Sequence, residues 1–287
     1  MAIAKSLTMS GALYCIFVAY DRERTSRALG KLHTFLSSLG GWSAQHLIIV
    51  ENAAVGIDAL DGYRVVTGTN RYAEFSAWQE GLDKIADSLT EQDAVLLVND
   101  TAFENRIFYG LLDWNFHYSI NALAGQSVPV LLGETMRARG AYEIDGIKFD
   151  RWVSSYMFLL NMAALRRLNF KVLKVDAFDL DAAGPSLISR HISADLSVHI
   201  NRYLLEQGPR SWHQAAALST KNSSIMALKA GCIINEMALS AAAAAAGIEV
   251  RDIFRGNWPM KRLRTLQHFL IELPCSRLFS RASCVKG

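Results

Sequence analysis

Five short apolar runs punctuate the first half of the chain, and each stops at polar side chains. Residues 13–20 (LYCIFVAY) end at Asp21, and 46–50 (HLIIV) end at Glu51-Asn52. Residues 63–66 stop at Thr67-Gly68-Thr69-Asn70, 94–98 (AVLLV) at Asn99-Asp100-Thr101, and 128–132 at Gly133-Glu134-Thr135. Helical spacing fills the gaps. Leu29, Leu32, Phe35, Leu36 and Leu39 share one face before Gly40-Gly41. Residues 72–89 are amphipathic, and 103–123 read as mostly helical. Continuous apolar strands alternating with helices predict an α/β fold, Rossmann-like, with a mostly parallel sheet covered on both faces. Further on, 152–160 (WVSSYMFLL) predicts another strand, and 162–168, 192–206 and 225–246 predict a helical C-terminal part.

In sheets of this kind ligands bind beyond the carboxyl ends of the strands. Asp21, Glu51, Asn52, Asn70, Asp100 and Glu134 all fall there. Strands also end in polar turns for local reasons, so the pattern has two readings. Asp100 is the sharpest case. A carboxylate delivered to a sheet edge can hold a divalent cation against a diphosphate, and it can equally cap the helix that follows. No G-x-G-x-x-G follows the first run, and neither a P-loop nor a G-x-S-x-G elbow occurs, which argues against dehydrogenase, P-loop and α/β-hydrolase chemistry. Trp78, Trp114 and Trp152 could stack on a sugar or a base, or simply pack in the core. His33, His46 and His117 are scattered. The four cysteines form no C-x-x-C pair, as expected of free thiols in a reducing cytosol.

Charge is unevenly placed. Residues 251–287 hold eight Lys/Arg against Asp252 and Glu272, while the rest of the chain has 22 basic and 25 acidic residues. A nucleic-acid-binding surface is not indicated. The first residues suit a buried strand better than a signal peptide, and the Ala-rich stretch 237–247 is too short to span a bilayer. The expected organisation is a domain over 1–250 and a basic amphipathic tail over 251–287. Lys261, Arg262 and Arg264 precede Phe269-Leu270-Ile271. Such a segment can lie on an anionic bilayer, or be an ordinary solvated helix.

The order LIIVENA, VVTGTNRYAEFSAWQEGL, AVLLVNDTAF and VSSYMFLLNMAAL resembles bacterial surface-polysaccharide glycosyltransferases with a GT-A fold, nearest the rhamnan-synthesis F-like group. Asn70, Glu74 and Gly81-Leu82 match an Asn, a following acid and a Gly-Leu. Asn99-Asp100-Thr101 matches Asn-Asp-Ser, and Ser155-Tyr156-Met157 matches a Ser-Tyr-Phe strand. DLSVHINRYLLEQG and LKAGCIINEMAL resemble two later helices. Glu104-Asn105 stands where that group has Gly-Pro, and the acid near Asn70 is Glu rather than Asp.

The resemblance implies a transferase acting in surface-glycan synthesis, of lipopolysaccharide or capsule. It would bind a nucleotide-sugar donor and a glycan or lipid-linked glycan acceptor, in the cytoplasm or at the inner face of the cell membrane. It implies a divalent metal (Mn or Mg) at Asp100. Donor and acceptor would meet Asp21, Glu51, Asn52, Asn70, Glu74, Asn99, Thr101, Glu134, Ser155 and Tyr156. Asp195, at the start of the 192–206 helix, would take the acceptor proton. An acid there is also what a helix dipole favours, and the pattern can be aligned to put Ser193 in that place. Two alternatives remain open: a non-catalytic subunit on the same fold, and a Rossmann-like methyltransferase. For the tail, truncation after Trp258 is expected to leave a folded core and weaken binding to anionic vesicles, measured by co-sedimentation. Unchanged vesicle binding would remove the membrane role.

Overall fold

The structure, a computed structural model, describes residues 11–52, 63–103, 111–174, 186–187, 189–208, 212 and 214–254. The predicted tail from 255 onward, Glu104-Asn105 and the first ten residues lie outside the described residues.

Strand β1 (Leu13–Ala19) is the first buried run, and α1 (Arg22–Ser38) follows it. β2 (Gln45–Glu51) and β3 (Arg64–Thr67) come next. Helix α2 (Ala73–Asp83) is shorter than its amphipathic pattern. The chain turns after Asp83 and resumes as one 3-10 turn, Ala86–Ser88. β4 (Ala94–Asn99) is buried along its whole length. α3 (Leu111–Leu123) covers the second part of the helix expected over 103–123. Then come β5 (Val130–Ile144), β6 (Ile147–Asn161), α4 (Met162–Arg167), α5 (Ala194–Leu205), α6 (Ser223–Ala245) and β7 (Glu249–Asp252).

The seven strands form one mixed sheet in the order β3-β2-β1-β4-β6-β5-β7. Four of its six pairings are parallel, and β6 runs antiparallel to both neighbours. This is the mostly parallel, helix-flanked α/β architecture that the alternating runs predict. Side chains alternate across a strand, so β1 feeds two cores. Leu13, Cys15, Phe17 and Ala19 pack with α1 and α3 on one face. Ile16 and Val18 pack with α2, α4 and the end of α6 on the other. Trp78 is fully buried in the second core, with Phe75 and Phe158 edge-on at 5.1 and 5.2 Å. Each such aromatic pair contributes about 0.5–1.5 kcal/mol beyond its buried area. Trp78 is therefore a packing residue. Gly81, one of the resemblance positions, is also explained by packing: a Cβ there would meet Ile16 Cγ2 at 2.6 Å.

The fifth strand does not stop at Gly133-Glu134-Thr135, as its apolar run suggested. It continues to Ile144, turns at Asp145-Gly146, and returns as β6. Both turn residues have positive φ (48° and 80°), the backbone of a two-residue type I′ hairpin. β4 pairs with β6 only as far as Val98↔Met157, so the outer parts of β5 and β6 project as an arm beyond the carboxyl edge of the central strands. A third core fills the arm's inner side, where Tyr142, Ile144 and Trp152 meet Leu196, Ile200 and Leu204 of α5 and Met226, Ala230 and Ile234 of α6. The sheet does not end at residue 250 either. β7 pairs with β5 across that position, and Ile253 and Phe254 are buried in the core under α3, so the folded unit reaches at least Phe254.

The Ala-rich stretch is the second half of the 23-residue α6. By length and composition that helix could cross a bilayer, but 61% of its apolar window is buried inside the protein. It serves here as the central helix of one sheet face.

Gly133 sits where β5 leaves β7 and becomes the arm. A Cβ at this position would lie 2.3 Å from Val153 Cγ1 and 3.3 Å from the Met157 carbonyl oxygen. Gly133→Ala is expected to destabilise the protein by roughly 1–3 kcal/mol in urea denaturation. A stability within error of the wild type would contradict this close approach.

Candidate functional site

The chain leaves β1 toward β2 and β3 on one side, and later returns to place β4 on the other. The gap between the carboxyl ends of β1 and β4 is thus a topological switch point, the crevice where open α/β sheets take ligands. Asp100 closes its floor. One carboxylate oxygen, Oδ2, accepts the Tyr20 amide at 3.0 Å and the Asp21 amide at 3.2 Å. The side chain has no solvent exposure, and Oδ1 has no hydrogen-bond partner among the described residues. Burial pushes its carboxyl above the ordinary range, against the pull of the Tyr20 amide and the Arg24 guanidinium.

On the β2 side Asn52 organises the edge. Its Nδ2 donates to Asn70 Oδ1 (2.9 Å) and to the Ala73 carbonyl (3.0 Å), and its Oδ1 accepts the Asn70 amide (2.8 Å). The clamp holds Asn70 and Ala73 at φ of 53° and 47°. Strain of this kind, about 1–3 kcal/mol per residue, persists only where neighbours over-determine it, and it clusters at functional sites. The strained junction leads directly into Glu74, which is buried in the first turn of α2.

Helix α6 supplies the roof. Lys229, Cys232 and Glu236 are spaced to share one helical face. Burial lowers the Lys229 ammonium, but Glu74, Cys232 and Glu236 together outweigh it, so the net shift is upward and the charge is held. Cys232 is raised by burial and then by Glu74. Glu236 accepts the Trp152 indole N–H and the Ser155 amide, both at 2.7 Å, and its carboxyl is raised by burial in spite of them. The Tyr20 phenol is raised by burial first and next by Glu74, with Cys232 and Asp100 adding to it. Tyr20, Asn52, Glu74, Asp100, Lys229, Cys232 and Glu236 therefore interact as one polar cluster in an otherwise apolar layer.

The sequence-predicted residues divide. Asp21, Glu51, Asn52, Asn70, Asn99 and Asp100 lie at the carboxyl ends of four neighbouring strands. Asp21 accepts the Arg24 amide at 2.8 Å as the N-cap of α1, and Thr101 donates to Asn99 Oδ1 at 2.7 Å. Ser155 and Tyr156 look to opposite faces of the sheet. Ser155 meets Glu236 under α6, while the Tyr156 hydroxyl donates to Glu134 at 2.8 Å beside Phe116 of α3. Asp195 is away from the edge. It is exposed on α5, and its Oδ2 accepts the Ala141 amide at 2.9 Å on the arm. Sequence reasoning missed Tyr20, Lys229, Cys232 and Glu236 as site residues. Their signal was the one-face spacing inside LKAGCIINEMAL.

The implied divalent cation finds one feature in its favour, the unpartnered Asp100 Oδ1. Such ions take six or more oxygen ligands in most protein sites. Among the described residues no three His, Cys, Asp or Glu side chains converge on one point. Asp100 alone, sealed from solvent, does not make a cation site.

No protein-family model matches the chain, and no curated protein matches it. Solved structures do. Among them is the mannosyltransferase PcManGT from Pyrobaculum calidifontis, in complex with GDP-Man and Mn2+. It is 13% identical, with the match covering 94% of this chain and 83% of that one at a TM-score of 0.35. A likeness so loose assigns no role to any residue.

The raised Asp100 carboxyl has a consequence for stability. Its folded pKa lies above the ordinary 3.8, so the folded chain holds the proton more tightly and stability falls as pH rises from 3.8 through the raised value. Asp100→Asn keeps an oxygen for the two amides and removes the buried charge. The variant is expected to melt a few degrees higher than the wild type at pH 7, roughly 2–4 °C per kcal/mol relieved, with the gap closing toward pH 4. Asp100→Ala, which orphans two amides, is expected to lose about 1–3 kcal/mol for each. A lower melting temperature for Asp100→Asn at pH 7 would contradict the costly-burial reading.

Proposed function

We propose that this chain is a nucleotide-sugar glycosyltransferase acting on a surface-polysaccharide or lipid-linked glycan. The single observation that carries the reading is the polar cluster at the β1/β4 switch point, roofed by α6 and bordered by a strained, Asn52-clamped junction. The residue order that resembles the rhamnan-synthesis F-like group supports it.

In this reading the donor's base and ribose meet Asp21, Glu51, Asn52 and Asn70. Amide and carboxylate groups there can accept from and donate to both. Asn99 and Thr101 border the diphosphate, and Lys229 offers it a positive charge. Glu74, Ser155 and Glu236 face the sugar. An acceptor hydroxyl attacks the anomeric carbon. The new C–O bond forms as the bond to the diphosphate breaks, the nucleoside diphosphate leaves with the electron pair, and the hydroxyl proton passes to a carboxylate. Asp195, on α5 beside the arm, is the proposed acceptor of that proton, and the proposal requires the acceptor hydroxyl to enter from the arm side. Glu134 and Tyr156, on the other sheet face, support the strand edge. Work on the cytoplasmic side, with the basic tail at an anionic membrane, belongs to the same proposal.

One observation favours a second reading, a non-catalytic binding subunit on this fold. Asp100 spends its carboxylate on the β1 amides, and Asp195 spends one oxygen on Ala141. Ligand and turnover separate the readings. In a thermal-shift panel of UDP-, GDP- and dTDP-sugars, one donor at a hundred times its Kd is expected to add about 2.7 kcal/mol of stability. Stabilisation by S-adenosylmethionine instead would assign a methyltransferase. Asp195→Ala is expected to lose turnover at least a hundredfold while keeping donor binding, within the range of a lost general base. Turnover within about twofold of wild type would leave Asp195 as a tie between α5 and the arm.

A further inference from the structure

A groove of about 610 Å³ runs between the arm and α5. It is separate from the Asp100 crevice, but the two share a wall. Trp152 packs behind the groove against Tyr142 and His199, at centroid distances of 6.2 and 6.4 Å, and its indole N–H reaches Glu236 of the polar cluster. Tyr203 lines the groove and is one of the groups that raise Lys229.

We infer that this groove binds an acidic sugar chain, with a pyranose face on the His199 and Tyr203 rings, a sugar carboxylate at Arg139 and sugar hydroxyls at Asp195. Three features of the lining fit that chemistry together. The first is an aromatic surface: His199 and Tyr203 line the space, and the buried Tyr142 ring backs His199 at 5.4 Å. Rings of this kind give a large, rigid contact for the C–H face of a pyranose at little entropic cost.

The second is a guanidinium with no ion-pair partner among the described residues, in a lining that also carries Arg202, Asp195 and Glu206. Among the described residues Arg139 has no carboxylate within ion-pair distance. Arg202 has only the loose Glu206 contact at 3.7 Å, with both side chains about two-thirds exposed. Exposed pairs of that kind hold their partners weakly. Both arginines line the groove with His199, whose imidazole is lowered by burial first and then by Arg139 and Arg202. The ring is thus kept neutral, as a stacking surface. An Arg fork facing open space is suited to a carboxylate, which it can take in two parallel hydrogen bonds.

The third feature is an acceptor for hydroxyls. Asp195 uses Oδ2 on the Ala141 amide and makes no other hydrogen bond among the described residues, so Oδ1 is open to a ligand. A neutral glycan would use the rings and Asp195 but leave Arg139 unused. A free phosphate would use Arg139 and leave the rings bare. A hexuronic acid chain uses all three.

Naming this ligand as the acceptor rests on the transferase reading; its binding to the groove does not. The test is titration calorimetry on the full chain without nucleotide. The probes are a tetrasaccharide alternating glucuronic acid with N-acetylglucosamine, and chitotetraose as its neutral counterpart. The acidic chain is expected to bind at least about tenfold tighter. Arg139→Gln, at an exposed position, is expected to remove that advantage, while Arg64→Gln on the far edge strand β3 leaves it intact. Equal affinity for the two probes, no binding of either, or an advantage that survives Arg139→Gln would overturn the inference. Donor binding, read separately in the nucleotide-sugar panel, shows whether the transferase reading fails with it.

Discussion

Strands β1 and β4 end side by side, and the Asp100 carboxylate spans them by accepting the Tyr20 and Asp21 amides. Everything at this edge depends on that joint. Tyr20 is sent to the α2/α6 face, where it meets Asn52, Glu74 and Cys232. Asp21 is sent to the opposite face, where it caps α1. A buried carboxylate is an expensive way to join two strands, because desolvation disfavours its charged form. What it provides is an edge whose two central turns diverge to different faces without loosening. The crevice is thereby preformed, and a ligand entering it does not have to order the β1 turn.

The arm is the second constraint. Because β6 runs antiparallel and overshoots β4, the hairpin carries its own small core and needs α5 and the first half of α6 to cover it. That need puts Lys229, Cys232 and Glu236 over the crevice while α5 lines the groove. Glu236 joins the two regions, since one carboxylate receives both the Trp152 indole and the Ser155 amide.

Much of the sheet was legible because burial on both faces leaves an unmistakable apolar run, as in LYCIFVA, LIIV and AVLLV. The arm was not. Arg137, Arg139 and Gly140 are exposed, so β5 beyond Thr135 has no continuous apolar signal, although Asp145-Gly146 carried a hairpin signature. β7 (EVRD) is four half-buried residues, too short and too charged to read as a strand. At the site, the polar strand ends were legible from position alone. The partition of Ser155 from Tyr156 follows from β6 being a strand, but which residue faces α6 depends on register. Lys229 and Glu236 were hidden because α6 reads as a core helix rich in alanine. A charged pair spaced to share one face of such a helix is the feature that distinguishes it from plain packing. Asp195 was legible as an acid at a helix start; that its helix packs on the arm was not, because the arm itself had no apolar signal.

Hydrogen exchange with and without a nucleoside diphosphate sugar tests the central claim most directly, because it reads where a donor acts on the backbone. Protection is expected at the Tyr20 and Asp21 amides, at Asn70 and Glu74, and at Asn99–Thr101, with the outer arm unaffected by donor alone. Protection confined to the arm and α5, or none at any donor concentration, would contradict a nucleotide site at the β1/β4 edge.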